Sequence, residues 1–196
     1  AACNGANGVA TFSGIGPDGK YYLYMETIGG GAGGRSYKDG SDGIQVHVTN
    51  TSNLPVEALE NEYPLLVDRY ELIEGSGGAG KWRGGLGLRR VYRGIDHTLT
   101  FSGQGERGVK APWGLFGGES GGTASISLHS DDGSIQSLPI KPASLEVEPG
   151  VAVCIETAGA GGYGPPAERD IESLEDDTKS GKFSAEFMRK FYNFQN

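Results

Sequence analysis

The feature that most restricts how this chain can fold is its glycine content. Glycine accounts for 35 of the 196 residues, well above the usual share of about 7%. The glycines follow no Gly-X-Y period, so a collagen-like triple helix is excluded. They are concentrated at segment ends, where glycine permits positive φ or a close approach of two backbones. The chain is therefore expected to turn often and to have short secondary-structure elements.

The pattern of residues 1–166 predicts one domain built from short β-strands. Apolar runs such as KYYLYMETI and VAVCI alternate with turns that contain Gly and Pro, and Pro17-Asp18-Gly19 lies between two such runs as a hairpin signal. The stretch 55–63 is expected to form a short helix or a turn that begins at Pro55. Repeated strands with this turn chemistry predict a mainly β fold, as antiparallel strands in a sandwich or a barrel-like domain with Gly-rich loops.

Residues 167–196 differ in composition and predict a short helical C-terminal tail. Asp170 and Ser184 are candidate N-caps of two helices, and Gly181 is placed to end the first of them. The second helix carries an aromatic stripe, formed by Phe183, Phe187, Phe191 and Phe194. Because large exposed apolar patches usually mark interfaces, we expect the stripe to pack on the β domain or on a partner chain.

The stretch most informative for function is residues 44–51, IQVHVTNT. Its alternating pattern predicts a strand, since successive strand side chains point to opposite faces. The apolar face would hold Ile44, Val46 and Val48, and the polar face Gln45, His47, Thr49 and Thr51. Asn50 adds an amide where the strand ends. The pattern fits a polar recognition surface on a rigid strand, but by itself it is more typical of an ordinary strand with one solvated face.

Composition excludes several classes of partner. The net charge of −8 argues against a nucleic-acid or anionic-membrane surface, which needs clustered Lys and Arg. No apolar run approaches the length that spans a membrane, and the first residues lack the pattern of a signal peptide. Cys3 and Cys154 are expected to be unpaired thiols, with Cys154 buried in an apolar run. These features favour a reducing, cytoplasmic setting.

No motif predicts a complete nucleotide, metal or nucleophile site within the chain. Gly75–Lys81 spells G-x-x-x-x-G-K, but Trp82 stands where a P-loop has Ser or Thr, and the following glycines cannot open a helix. The histidines, His47, His97 and His129, lack the spacing of metal ligands, so no metal is expected to bind here. Neither cysteine has a histidine nearby in sequence, so no internal nucleophile–base pair is expected.

Two further groups of polar residues have simple explanations. His97 and His129 are predicted to occupy exposed strand positions. The basic residues between positions 81 and 93 are expected to form a solvated hairpin or to face a negatively charged partner; they are Lys81, Arg83, Arg89, Arg90 and Arg93. Gly29–Gly34 matches G-x-G-x-x-G, but no Rossmann helix follows it. Gly159–Gly164 has the same spacing and is followed by two prolines, and a nest of backbone amides that binds an anion remains open at either segment.

Several stretches together resemble the C-terminal portion of the hydantoinase B/oxoprolinase family. They follow the family order over most of residues 26–185 and read ETIGGGAGGR, KDGSDGIQVHVTNTSNLPVEALE, YPLLVDRYELIEGSGGAGKWRGGLGLRRVYR, WGLFGGESG, PGVAVCIETAGAGGYGPPAERD and KFSAE. Ala158 and Ala160 depart from the family pattern, which usually has glycine in this tract.

The resemblance implies an ATP-dependent cyclic-amide hydrolase acting on a hydantoin or 5-oxoproline-type lactam. It implies two partners, a larger hydantoinase B-type chain and a hydantoinase A-type chain that binds ATP and Mg. It also implies a divalent metal on the N-terminal half of B-type proteins, a region that the present sequence does not match. His47 and Asn50 become the candidate catalytic residues. The candidate substrate-binding residues are Gly31, Gly33, Gln45, Thr49 and Thr51. The alternatives are a subunit of an acetone- or acetophenone-type ketone carboxylase and a non-catalytic assembly module.

Overall fold

The structure, a computed structural model, describes residues 1–47, 49 and 51–195. Strands of these residues form two antiparallel sheets. In chain order they are β1 (Gly8–Ile15), β2 (Tyr21–Ile28), β3 (Leu65–Leu72), β4 (Leu88–Gly94), β5 (Leu99–Gln104), β6 (Ser125–Ser130), β7 (Ile135–Leu138), β8 (Leu145–Val147) and β9 (Val151–Glu156). One sheet has the order β2-β1-β5-β8 and the other β3-β4-β9-β6-β7. The predicted mainly β fold is confirmed.

The two sheets face each other across one apolar core, so the fold is a sandwich. Along β2 the inward residues are buried and the alternate ones are exposed, as the two-residue period of a strand requires. Phe12 of β1 packs against Tyr92 of β4, with ring centroids 4.6 Å apart. This aromatic contact joins the centre of one sheet to the centre of the other.

The helices follow the predicted capping signals. They are α1 (Val56–Glu62), directly after Pro55, then α2 (Ile171–Lys179) and α3 (Ala185–Tyr192), with a 3-10 turn at Pro166–Glu168. The Asp170 carboxylate accepts a hydrogen bond from the Ser173 amide at 2.8 Å, and the Ser184 hydroxyl accepts one from the Phe187 amide at 3.2 Å. Both predicted N-caps are confirmed.

The glycine-rich segments pack together rather than forming separate loops. We call residues 29–34, 40–43, 75–87, 112–122 and 158–164 the glycine bundle; apart from isolated bridges, it contains neither helix nor β-ladder. Hydrogen bonds between neighbouring segments recur every third residue. Three pairs of segments show this spacing, each given as N–H donor to carbonyl acceptor. The first has Gly31 to Ala158 and Gly34 to Gly161, the second has Gly40 to Arg83 and Gly43 to Leu86, and the third has Gly122 to Ser76 and Glu119 to Ala79. A three-residue repeat matches a polyproline II-type helix, whereas strand pairing repeats every two residues.

Close backbone contact explains why these positions need glycine. A Cβ atom on Gly84 would overlap the carbonyl oxygen of Ala160, and one on Gly159 would overlap that of Ser76. Neither glycine has a positive φ, so the requirement is space and not backbone conformation. Ala158 and Ala160 are themselves fully buried in the bundle, which therefore accommodates the departure from the family pattern.

The C-terminal tail packs on the glycine bundle of the same chain. Phe183 is buried beside Ala79, Leu86 and Met188, and the other aromatic residues of the stripe pack against this cluster. The Tyr192 hydroxyl accepts a hydrogen bond from the Gly80 amide at 3.1 Å. Of the two expected locations for the aromatic stripe, the β domain of this chain is the one found.

A buried ion cluster ties the tail to the bundle. Asp177 of α2, 3% exposed, accepts hydrogen bonds from Arg83 Nε at 3.0 Å and from Arg169 Nη2 at 2.7 Å. The remaining guanidinium N–H groups bond to Asp42 and Asp39. Since each buried charge has an opposite partner, none is left uncompensated.

The prediction of a solvated basic hairpin is wrong. Arg83 and Arg90 are buried. The others pair with carboxylates of the same chain, as Lys81–Glu168, Arg89–Glu156 and Arg93–Asp68. Lys81 and Arg83 precede β4; on the strand itself, Arg89 and Arg93 share one face and Arg90 lies on the other, so the basic run contributes ion pairs on both sides of the sheet.

Substituting single glycines tests the packing of the bundle. Gly159→Ala should destabilise the fold by about 1–3 kcal/mol, as overpacking typically does. Gly122 is the matched control, because its carbonyl accepts the Gly159 amide while a Cβ on it would meet atoms no closer than 3.4 Å. Gly122→Ala should be neutral or stabilise by up to about 1 kcal/mol. Urea unfolding followed by circular dichroism measures both, and equal effects would contradict the close-packing argument.

Candidate functional site

The stretch 44–51 is not a strand in the described residues. Ile44 forms an isolated antiparallel bridge with Gly30, and no strand follows it. The predicted strand is wrong because the backbone leaves the extended region: Gly43 has φ +56° and His47 has φ +82°. Val48 and the candidate catalytic residue Asn50 lie outside the described residues. We call residues 44–53 the recognition segment.

Beyond the backbone bridge at Ile44, side-chain hydrogen bonds hold the recognition segment on the end of β2. Gln45 Nε2 donates to the Thr27 hydroxyl at 2.7 Å and to the Thr27 carbonyl at 3.1 Å. The Thr49 hydroxyl donates to Gln45 Oε1, and Asn53 Nδ2 donates to the same Thr27 carbonyl at 2.9 Å. Gln45 and Thr49 therefore shape the segment, while Thr51 is exposed.

The two candidate glycines lie in the glycine bundle. Gly31 donates its amide to Ala158 at 3.1 Å and accepts the Asn4 amide at 3.0 Å. A Cβ on Gly33 would overlap the carbonyl oxygen of Ala1. The amide of Gly31 is thus engaged within the chain, and both glycines have a packing role. Their contact with a substrate stays a prediction.

His47 meets a thiol that the sequence pattern did not connect with it. Cys3 Sγ lies 3.2 Å from His47 Nε2. Cys3 is partly buried and His47 is exposed, so the pair lies at the protein surface. The two residues are 44 positions apart, which is why inspection of nearby residues missed them. The expectation of no nucleophile–base pair rested on distance along the chain, and the fold brings Cys3 and His47 into contact.

A buried charge pair lies beneath the recognition segment. Arg90 Nη1 donates to Glu26 Oε2 at 2.5 Å, and the Tyr92 hydroxyl donates to the same oxygen at 2.7 Å. The other carboxylate oxygen accepts the Leu54 amide at 3.0 Å, at the end of the segment. Burial opposes ionisation, but hydrogen bonds from Tyr92 and Asn53 and the charge of Arg90 outweigh it, so the pKa of Glu26 lies below its ordinary value.

Tyr70 connects this buried pair to the recognition segment. The Arg90 guanidinium lies over the Tyr70 ring, 4.4 Å from its centroid, and the Tyr70 hydroxyl donates to Asn53 Oδ1 at 2.9 Å. Among the described residues, Arg90 Nε and Nη2 are buried with no hydrogen-bond partner, and the guanidinium lies over both the Tyr70 and the Tyr92 ring. Side chains of β2 and β3 therefore contact the recognition segment and its end from the sandwich side.

The other two histidines, His97 and His129, lie elsewhere in the fold and have different contacts. His97 is buried, not exposed on a strand as predicted; Nε2 lies 2.7 Å from the Tyr22 hydroxyl and Nδ1 lies 2.8 Å from the Ile95 carbonyl oxygen. It lies in the turn after β4, which folds back onto the sandwich. His129 is on β6, half-buried, with Nε2 2.9 Å from the Ser127 hydroxyl.

A large concavity lies away from the recognition segment. It is a groove of about 880 Å³ on the outer face of the five-stranded sheet, and its lining includes Ser127, His129 and the buried Cys154. Arg89 and Arg93 on its wall are paired with carboxylates. None of the predicted site residues that the structure describes lines it.

The described residues do not fit a nucleotide at Gly75–Lys81. Most amides of this segment are already used, since Gly78 donates to Ala160 and Lys81 donates to Gly164, and Gly80 donates to the Tyr192 hydroxyl. The Lys81 ammonium pairs with Glu168 at 3.2 Å, so it does not point at an open cradle. Within the part of the chain that the structure describes, no group of three or more His, Cys, Asp or Glu side chains could hold a metal ion.

Comparison with known proteins places this fold in a family. The sequence model of the family described as hydantoinase B/oxoprolinase matches residues 1–166, and the chain therefore belongs to that family. Among curated relatives, 5-oxoprolinase 1 of Arabidopsis thaliana is 39% identical over 141 residues, which are 72% of this chain and 11% of that protein.

Two solved structures extend the likeness. An ATP-dependent caprolactamase from Pseudomonas jessenii has a TM-score of 0.82 and 25% identity, and the match covers 100% of this chain and 36% of that one. A nucleotide-free acetone carboxylase shares the fold, with a TM-score of 0.76 and 18% identity over 97% of this chain and 30% of that one. The chain spans about 30% of the length of other curated relatives that it matches.

A helix long and apolar enough to cross a membrane was not found among the described residues.

The lowered pKa of Glu26 gives a prediction about acid stability. A carboxyl group with a lowered folded-state pKa stabilises the fold above its unfolded pKa, about 4.3, and this contribution is lost as the pH falls through the folded value. Glu26→Gln should cost about 3–5 kcal/mol at pH 7, because it leaves the Arg90 charge buried and unpaired. The difference from wild type should shrink below about pH 4.3.

Urea unfolding between pH 7 and pH 3 measures this effect. Glu62→Gln, at an exposed position in α1, is the control and should change stability by less than about 0.5 kcal/mol. A cost for Glu26→Gln that stays constant with pH would contradict the assigned coupling.

Proposed function

We propose that this chain is the C-terminal part, or a small subunit, of an ATP-dependent enzyme that hydrolyses cyclic amides. The observation that carries the proposal is the match of the whole chain to part of an ATP-dependent caprolactamase, with a TM-score of 0.82. Membership of the hydantoinase B/oxoprolinase family supports the same reaction class. The substrate would be a lactam of the hydantoin or 5-oxoproline type.

The site in this chain would be the recognition segment. His47 is exposed beside a thiol and is the candidate for acid–base work on the activated amide. Gln45 and Thr49 hold the segment against Thr27, and Thr51 is the exposed hydroxyl that a substrate can reach. Asn50 keeps its predicted catalytic role, and Gly31 and Gly33 would contribute to the wall of the site through their backbone.

ATP and Mg would be bound by a hydantoinase A-type partner chain, and a larger B-type chain would complete the site. Most amides of Gly75–Lys81 are used within the chain, by the glycine bundle and the C-terminal tail, which supports placing the nucleotide elsewhere. A divalent metal would belong to the N-terminal half of B-type proteins. Use of ATP and two unpaired thiols fit the reducing conditions of the cytoplasm.

The reaction class is tested by reconstituting the chain with its A-type and B-type partners. Lactam-dependent release of ADP together with ring opening is expected. Fixation of bicarbonate into a ketone would instead assign the carboxylase activity of the more distant relative. Full activity of the partners without this chain would contradict the proposal. Loss of activity explained entirely by loss of complex assembly would assign the chain an assembly role.

His47→Ala provides the residue-level prediction. A positioned imidazole in acid–base catalysis contributes about 10²–10⁴-fold, so turnover should fall by this factor while the complex still assembles. His129→Ala is the control. It removes a histidine from β6, on the outer face of the five-stranded sheet, and should leave turnover unchanged. Loss of assembly in His47→Ala, or an unchanged rate, would contradict the site assignment.

A further inference from the structure

We propose that Cys3 is a catalytic nucleophile and that His47 is its general base, so that the opened lactam passes through a thioester on Cys3. The inference rests on the proposed function and adds to it a covalent intermediate and a second catalytic residue. Its basis is the contact of 3.2 Å between Cys3 Sγ and His47 Nε2.

The backbone on both sides of Cys3 is fixed by the glycine bundle. Ala2 donates its amide to the Trp113 carbonyl at 3.0 Å, and its own carbonyl accepts the Gly161 amide at 2.9 Å. On the other side, Asn4 is 5% exposed and donates its amide to Gly31 at 3.0 Å. The thiol is therefore held on a rigid scaffold, as a nucleophile needs to be.

The imidazole is held in an uncommon conformation. His47 has φ +82°, which a residue with a side chain adopts at a cost, and such strain is concentrated at functional sites. Ile44 is anchored by its bridge to Gly30, and Gln45 is anchored on Thr27. These contacts stabilise the segment in the conformation that brings the imidazole to the thiol.

The second cysteine, Cys154, is in a setting typical of an unreactive thiol and serves as a comparison for Cys3. Cys154 is 2% exposed within β9, and burial, with the nearby Glu156 charge, raises the pKa of its thiol. Reactive cysteines lie instead in partly exposed positions beside a histidine or another cation. Of the two, Cys3 alone has this setting.

The proposed steps balance as follows. The lactam oxygen is first phosphorylated by ATP. Cys3 Sγ then bonds to the activated carbon while its proton goes to His47, and the carbon–oxygen bond breaks with release of phosphate. Water adds to the resulting thioimidate, the ring nitrogen takes a proton, and the carbon–nitrogen bond breaks to leave a thioester and a free amine. A second water hydrolyses the thioester and returns the thiol.

Thiol alkylation tests the pair without relying on turnover. Treating the assembled complex with iodoacetamide near pH 7, with peptide mass spectrometry as readout, should label Cys3 ahead of Cys154. His47→Ala should slow labelling of Cys3 by about tenfold or more, since the thiolate is the nucleophile and the neighbouring imidazole is the group that can take the thiol proton. His129→Ala should have no effect. Equal labelling of Cys3 in wild type and His47→Ala would overturn the pairing.

Trapping during turnover tests the intermediate. Acid quenching of the complex with ATP and lactam should add the mass of one lactam to Cys3, in a hydroxylamine-sensitive bond. Cys3→Ala and Cys3→Ser should abolish the adduct and slow turnover by about 100-fold or more, whereas Cys154→Ala should change neither. Wild-type turnover in both Cys3 variants, with no adduct in wild type, would overturn the inference and leave the proposed function standing. A wild-type complex without lactam-dependent ADP release would instead refute the proposed function, while the alkylation result still reports on the pair.

Discussion

The close contact of glycine backbones in the bundle is the constraint on which the rest of the structure depends. Segments from five parts of the chain approach until a single Cβ would overlap a neighbouring carbonyl oxygen, and their hydrogen bonds recur every third residue. The bundle satisfies its backbone polar groups without a helix or a sheet. It replaces what would otherwise be long unpaired loops at one end of the sandwich.

The bundle positions both the tail and the candidate site. Apolar side chains of the tail pack against Ala79 and Leu86, and Asp177 of the tail accepts a hydrogen bond from Arg83. On its other side the bundle anchors Asn4 through Gly31 and the recognition segment through the bridge from Gly30. One packed unit thus sets the distance between Cys3 and His47, although neither side chain belongs to it.

Buried charges give the sandwich and the tail their directional contacts. Arg90 pairs with Glu26 between the sheets, and Asp177 lies between Arg83 and Arg169. Such pairs contribute little net stability, but removing one partner leaves a costly unpaired charge. They therefore favour one arrangement of the segments over others of similar apolar burial. That arrangement is what a site assembled from distant segments needs.

The sequence by itself determined the mainly β class, the helix caps at Asp170 and Ser184, and the resemblance to a family, because these depend on local patterns of turn residues, apolar periodicity and motif order. The tertiary structure decided which arginines are buried, that residues 44–47 bend instead of forming a strand, and that Cys3 meets His47. Alternation of side chains in IQVHVTNT could not report the positive φ of His47, which local composition does not require. The spacing of residues along the sequence could not predict the contact between Cys3 and His47 either, because they are 44 positions apart. The packing of the glycine bundle brings their two segments together.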